Sequence, residues 1–248
     1  MQKIFIILIL FTLILNAVTI NIAVATNVSY AIQELKSKFL QTHPDININI
    51  ILGSSGKLTA QISHGAPYGL FLSANMLYPS KLYEQNLATT IPVVYARGTL
   101  ALFSASEKNF SLGLALLKDN HIQKIAIANP KTAPYGKAAF EALKNAKIYT
   151  DINSKLIFAE SISQTLSYVI SAADIGFVAK SSLYSAKMSQ YKEDVHFKEL
   201  DTTLYNPIDQ GVVLLAYGKT EKAYRLFYEF LLSEEAKKIF KKYGYIIS

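Results

Sequence analysis

The sequence predicts an α/β fold, because short apolar runs alternate along it with segments whose apolar residues recur at helical spacing. Two features carry the expectation. The runs are four to eight residues long, the length of buried strands, and small polar or glycine-containing loops stand between many of them and the following helical stretch. This order favours mostly parallel strands.

Taken in order, Thr19 to Val24 reads as a first strand, and Ala31, Leu35 and Phe39 recur every four residues on one helix face. His43-Pro44 ends that helix, since the residue before a proline avoids the helical region. Ile46, Ile48, Ile50 and Leu52 alternate with Asn47 and Asn49 as a half-buried strand, and Gly53-Ser54-Ser55-Gly56 opens the next helix. Gly69 to Leu72 is a short strand, and Val93 to Phe103 holds two extended runs broken at Arg97-Gly98. Lys124 to Ala128, Lys155 to Ala159 and Asp174 to Val178 are further strands, with Ile162, Leu166, Val169 and Ile170 at helical spacing. Gly211 to Tyr217 is the last strand. Ala223, Leu226, Phe227 and Phe230 then share a helix face, and a terminal helix with Ile239 and Phe240 turns Lys237, Lys238, Lys241 and Lys242 to solvent. There is no internal repeat and no low-complexity linker.

Composition bounds the function. Lys3 followed by apolar residues from Ile4 to Leu15 reads as a signal peptide over residues 1–17, cleaved near Ala17. The run is shorter than the roughly 20 residues of a membrane-spanning helix. No cysteine is present, which excludes disulfides, thiolate metal sites, a cysteine nucleophile and a lipid-attachment cysteine. The expected product is soluble, periplasmic and monomeric. Lys and Arg total 25 against 18 acidic residues, a formal charge of +7. An exported chain has little access to nucleic acid, so this excess is read as attraction of anions.

Three loops stand at strand ends where helices begin: Ala25-Thr26-Asn27, Gly53-Ser54-Ser55-Gly56 and Asn129-Pro130-Lys131-Thr132-Ala133-Pro134-Tyr135-Gly136. Helix starts expose unpaired N–H groups and a partial positive charge, and in open α/β sheets they bind anions. Ser and Asn are also ordinary N-caps, so each loop has a capping reading too. Asn27 in particular is either a cap or a side-chain donor to an anion. Lys57 and Lys131 flank the loops and steer anions rather than touch them.

Several stretches resemble periplasmic molybdate-binding proteins of class II solute-binding type. They are Ile22-Ala23-Val24-Ala25-Thr26-Asn27, then Gly53-Ser54-Ser55-Gly56-Lys57-Leu58 with Gln61-Ile62, and Gly65-Ala66-Pro67 leading to Leu70-Phe71-Leu72-Ser73-Ala74. Asn129-Pro130 to Pro134-Tyr135-Gly136, Glu160-Ser161-Ile162, Ile175-Gly176-Phe177-Val178 and Ile239-Phe240 to Tyr243-Gly244-Tyr245 follow in the same order. The resemblance implies two α/β lobes, each a central mixed sheet flanked by helices. Residues 18–96 plus 213–248 form one lobe and 97–212 the other, joined by crossover strands near 94–99 and 207–212. It implies capture of molybdate or tungstate between the lobes and delivery to the permease of an ABC importer, without catalysis and without a cofactor. Molybdenum or tungsten enters as the oxyanion, not as a free cation. Position by position, it implies Thr26, Asn27 and Ser55 as ligands, with Ser54 beside them. Backbone N–H donors come from Tyr135 and Ile162. Some members of the family carry serine at the Asn27 position and a pocket tyrosine where this chain has Ala179.

The alternatives are a receptor for sulfate, thiosulfate or phosphate, or an enzyme. Molybdate and tungstate are dianions that only accept hydrogen bonds, whereas protonated phosphate brings a hydrogen that a donor-only site leaves unpaired, at about 1–3 kcal/mol. Sulfate has to be discriminated by size. Against an enzyme, His43, His64, His121 and His196 have no metal-ligand spacing, and Ser54-Ser55 lacks a Gly-x-Ser-x-Gly elbow. Gly53 to Lys57 lacks the Gly-Lys-Ser/Thr ending of a phosphate-binding loop. Arg97 and Arg225, the two arginines, lie outside the three loops.

Overall fold

A computed structural model describes residues 17–247. Apart from Ala17, the segment read as a signal peptide lies outside the described residues. The strands are β1 (Val18–Ala25), β2 (Ile46–Gly53), β3 (Leu70–Ser73), β4 (Val93–Gly98), β5 (Leu100–Phe103), β6 (Ile125–Ala128), β7 (Leu156–Ala159), β8 (Ile175–Ala179), β9 (Phe197–Glu199) and β10 (Ile208–Leu214). The α-helices are α1 (Ala31–Leu40), α2 (Ser55–Ser63), α3 (Leu77–Glu84), α4 (Pro134–Asn145), α5 (Tyr149–Ile152), α6 (Ile162–Ser171), α7 (Lys180–Leu183), α8 (Lys222–Leu231) and α9 (Glu234–Lys242).

The strands form two five-stranded mixed sheets, ordered β2-β1-β3-β10-β4 and β7-β6-β8-β5-β9. The mixed sheets that the resemblance implied are present, and the mostly parallel order read from periodicity alone is corrected. β1 runs parallel to β2 and β3, and β6 to β7 and β8. β10 is antiparallel to β3 and β4, and β5 to β8 and β9. The antiparallel pairs arise where the chain changes sheet. β4 ends in the first sheet at Gly98 and β5 begins in the second at Leu100, with Thr99 alone between them. β10 returns the chain from β9 to the first sheet. It begins at Ile208, three residues before the expected Gly211, and stops at Leu214. The early start is set by pairing with β4: Asp209 lies opposite Arg97, and its carboxylate accepts from Arg97 Nε at 2.6 Å.

Period-two alternation builds a core on each face of each sheet. From β1, Ile20, Ile22 and Val24 meet Leu35 and Phe39 of α1 and Phe227 and Phe240 of α8 and α9. Ala23 points the other way, to Leu58, Ile62 and Leu82 of α2 and α3. In the second sheet Leu100, Leu102, Ile127 and Phe177 pack on Ala139 and Leu143 of α4. Ala101, Phe103, Ala126 and Val178 pack on Leu166 and Val169 of α6. The helices α2, α4 and α6 all begin at carboxyl ends of strands, which brings their N-termini towards one place.

Candidate functional site

Those N-termini enclose a pocket lined by Ala25, Thr26, Asn27, Gly53, Ser54, Ser55, Ala74, Ala133, Pro134, Tyr135 and Ile162. All six residues singled out in the sequence, Thr26, Asn27, Ser54, Ser55, Tyr135 and Ile162, are brought together here. The protein-free space is at most ≈ 190 Å³, below the roughly 300 Å³ at which sites for organic ligands begin. No lining residue carries a charge. The larger groove, about 1170 Å³ between Phe110, Leu114 and Leu204, lies in the second half, away from these helix ends.

Each loop contributes donors for a local reason. Ser55 is the first residue of α2, so its N–H has no acceptor within the helix. Its hydroxyl oxygen accepts the Ala74 N–H at 2.9 Å, which leaves the hydroxyl proton to be donated elsewhere. Ser54 occupies the N-cap position, yet its side chain caps nothing. Pro134 starts α4, where its missing N–H costs nothing, and Tyr135 follows with an N–H that lacks a helical partner. At α6 the Ser161 side chain caps the Gln164 N–H, leaving the Ile162 N–H open. Three helix N-termini, each about half a positive charge, thus face a space without a counter-charge.

Asn27 departs from the capping reading of its sequence context. It lies inside a 3-10 turn, Thr26–Val28, and caps no helix; α1 begins beyond Tyr30 without a side-chain cap. Its two amide protons are also committed. Nδ2 donates to Gln210 Oε1 at 2.8 Å and to Tyr245 Oη at 3.0 Å. The amide donor of Asn27 is thus engaged within the protein, while its backbone N–H lies in the first turn of Thr26–Val28, where a helix leaves N–H groups without acceptors. Ala179 lies outside the lining. Two residues on, Ser181 Oγ donates to the Asn27 carbonyl at 3.1 Å.

The two halves touch around the pocket. Gly56 N–H donates to Thr132 O at 2.9 Å, Ser163 Oγ to Thr26 O at 2.9 Å, and Tyr78 Oη to Lys131 O at 3.3 Å. Lys57 pairs with Glu160 at 3.3 Å, both exposed, so the pair adds little to stability. The helix-flanking lysines stand at the rim and not in the pocket. Among the described residues no group of three or more His, Cys, Asp or Glu could hold a metal ion. No helix among them is long and apolar enough to cross a membrane.

The family model for bacterial extracellular solute-binding proteins matches residues 20–246. The chain belongs to that family. It is 34% identical to the molybdate-binding protein ModA of Rhodobacter capsulatus over 90% of this chain and 86% of that protein. It is 33% identical to ModA of Azotobacter vinelandii over 93% of this chain and 90% of that one. The solved periplasmic molybdate-binding protein of A. vinelandii superposes with a TM-score of 0.84, covering 92% of this chain and 99% of that chain at 30% identity. These relatives are binding proteins, and this chain is a binding protein and not an enzyme. The sulfate-binding protein SubI of Mycobacterium tuberculosis shares the fold at a TM-score of 0.75 with 11% identity. Fold alone therefore does not select the anion.

The sequence missed Gln210, Tyr245, Ser163 and Ser181, the residues that hold the Thr26–Asn27 turn from behind. No local signal marks them; Tyr245 and Asn27 are 218 positions apart.

Proposed function

We propose that this chain captures molybdate or tungstate in the pocket between its halves and delivers it to the permease of an ABC importer. The reading places it in the periplasm as a monomer after removal of residues 1–17. The proposed lobe boundaries, 18–96 with 213–248 against 97–212, fall within the crossover strands β4 and β10, near 94–99 and 207–212. The observation that carries the proposal is the convergence of three helix starts and the hydroxyls of Thr26, Ser54 and Ser55 on a small space lined by no charged side chain. Donors without a neighbouring carboxylate suit a fully deprotonated dianion. A protonated anion would bring a hydrogen for which no carboxylate or imidazole stands in the pocket, at a cost of about 1–3 kcal/mol. The ModA relatives support molybdate over the other anions.

Calorimetric titration of the residue 18–248 chain with molybdate, tungstate, sulfate and phosphate tests this. One site per chain is expected for molybdate or tungstate, with melting raised by about 2.7 kcal/mol of added stability at a hundredfold excess over Kd. Sulfate or phosphate shifting the melt while neither metal oxyanion does would sink the assignment. Within the pocket, Ser55→Ala removes one hydroxyl donor to a charged ligand, a loss of about 1.5–3 kcal/mol, or roughly 10- to 150-fold in Kd. An unchanged Kd would take Ser55 out of the binding set.

The lysines act differently. Lys57→Ala combined with Lys131→Ala is expected to slow association modestly, and more at low salt than at high, while Kd changes little. A collapse of affinity in this double variant would make a lysine a direct ligand and contradict the neutral pocket.

A further inference from the structure

The C-terminal tail reaches the pocket from behind. Gly244, at φ +74°, turns the chain out of α9, and the next two residues make the connections. Ile246 bridges to Arg97 on β4, one residue before Gly98, through Arg97 N–H to Ile246 O at 2.8 Å and Ile246 N–H to Arg97 O at 2.9 Å. Arg97 in turn pairs with Asp209 on β10, so the tail is fastened where the chain changes sheet.

Tyr245 points inward from this fastening and is 4% exposed. Its phenol donates to the Asn27 carbonyl at 2.9 Å and accepts from Asn27 Nδ2 at 3.0 Å, gripping the main chain and side chain of one residue together. Gln210 Oε1 takes the other amide proton, and Gln210 is itself oriented by Nε2 donating to Ile208 O at 2.8 Å. Burial raises the Tyr245 pKa above the ordinary tyrosine value, so its hydroxyl keeps its proton at neutral pH. Gln210 and Tyr245 are not among the residues that line the pocket, whereas Thr26 and Asn27 are. What the two hold is the Thr26–Val28 turn, whose first N–H groups have no acceptor within the turn.

We propose that Tyr245 is a positioning residue for the bound anion, the tail acting as a strap that holds the Asn27 backbone donor in place. This rests on the anion reading of the pocket. Preorganised donors bind more tightly because they are not reoriented on binding, so loosening the turn weakens binding without removing a ligand contact.

The test is a double-variant cycle on the residue 18–248 chain with molybdate as the probe, comparing Tyr245→Phe, Asn27→Ala and the two combined. Tyr245→Phe is expected to weaken binding at least tenfold, mainly through faster dissociation. The combined variant should lose less affinity than the product of the two single losses, since the Nδ2–phenol bond is shared by both residues, while the phenol's bond to the main-chain carbonyl at position 27 is left intact by Asn27→Ala. Tyr243→Phe is the control for general loosening of the tail, because Tyr243 Oη donates to Glu34 at 3.0 Å, away from the pocket; its Kd should stay at the wild-type value. Multiplicative losses in the combined variant, an unchanged Kd in Tyr245→Phe, or an equal loss in Tyr243→Phe would each overturn the proposal. If the wild-type chain prefers sulfate or phosphate, the molybdate assignment fails, and the same cycle run with the preferred anion still decides the role of Tyr245.

Discussion

Gly56→Val is expected to lower oxyanion affinity by at least about a hundredfold while leaving the ligand-free protein as stable as the wild type. Gly56 sits in the first turn of α2, where it meets the Asn129–Pro134 loop of the other half. A Cβ built there would lie 3.0 Å from both Cα and O of Thr132 and 2.8 Å from Tyr78 Oη. The tyrosine hydroxyl ends a flexible side chain and can move aside. The Thr132 main chain cannot, because Thr132 and Ala133 both donate N–H groups to Asn129 O in the turn that leads to Pro134. The two branches of valine would therefore hold the halves apart at the pocket rim. Donors from Tyr135 and Ile162 would then lose their geometry relative to those of Thr26 and Ser55.

Two hydrogen bonds to a charged ligand, at about 1.5–3 kcal/mol each, account for a hundredfold loss or more. Gly56→Ala should fall between the variant and the wild type, since a single methyl requires a shift of only a few tenths of an ångström. The apo form need not suffer, because glycine is a poor helix residue and its replacement within α2 is close to neutral. Calorimetry with molybdate beside ligand-free urea unfolding checks both halves of the expectation. A wild-type Kd in Gly56→Val would show that closure at Thr132 does not limit binding.

The pocket was legible in the sequence to the extent that it is made of strand-end loops. The loops that hold Thr26, Ser54, Ser55 and Tyr135 stand beside short apolar runs of clear periodicity, so their place at strand ends followed from local pattern, whereas the choice of those residues within the loops, and of Ile162, came from the family resemblance. β1, α1 and β2 were legible for the same reason: one face of each is apolar at the right period. The start of β10 was not. Asp209 and Gln210 look like loop residues, and they belong to the strand because Arg97 and Asn27 supply partners from far along the chain. Gln210 is fully buried, which no polarity scale predicts for a glutamine. The strand directions were misjudged because alternating strands and helices signal parallel neighbours only while the chain stays in one sheet. The role of Asn27 was hidden for a related reason. Asparagine beside a helix start fits a cap or a ligand equally well, and only the tertiary positions of Gln210 and Tyr245 show that its amide is held within the protein and caps no helix.

That position of Asn27 makes Asn27→Asp a test of folding as well as of binding. On the capping reading the change would be nearly neutral, since Asp and Asn are both good caps. In the structure the side chain is enclosed, with the residue 2% exposed, and Nδ2 lies 2.8 Å from the carbonyl oxygen of Gln210. A carboxylate oxygen in that place would face an acceptor. Gln210 cannot simply turn over to present its amide, because Nε2 already donates to Ile208 O. The new charge would be buried with at most the Tyr245 hydroxyl as a donor, a situation that costs about 3–5 kcal/mol, a large fraction of the roughly 5–15 kcal/mol that holds a domain together. The pH dependence gives the sign. Burial without a counter-charge raises the folded-state pKa of the new carboxyl above its unfolded value of about 3.9. The penalty is then absent below the unfolded pKa, grows as pH rises through the interval between the two values, and is complete above the folded pKa. Urea unfolding at pH 7 and pH 5 should show Asn27→Asp closer to the wild type at the lower pH, and molybdate affinity at pH 7 should be lost as well. A variant as stable as the wild type at pH 7 would mean that the Asn27 amide is not held by Gln210 and Tyr245 in solution.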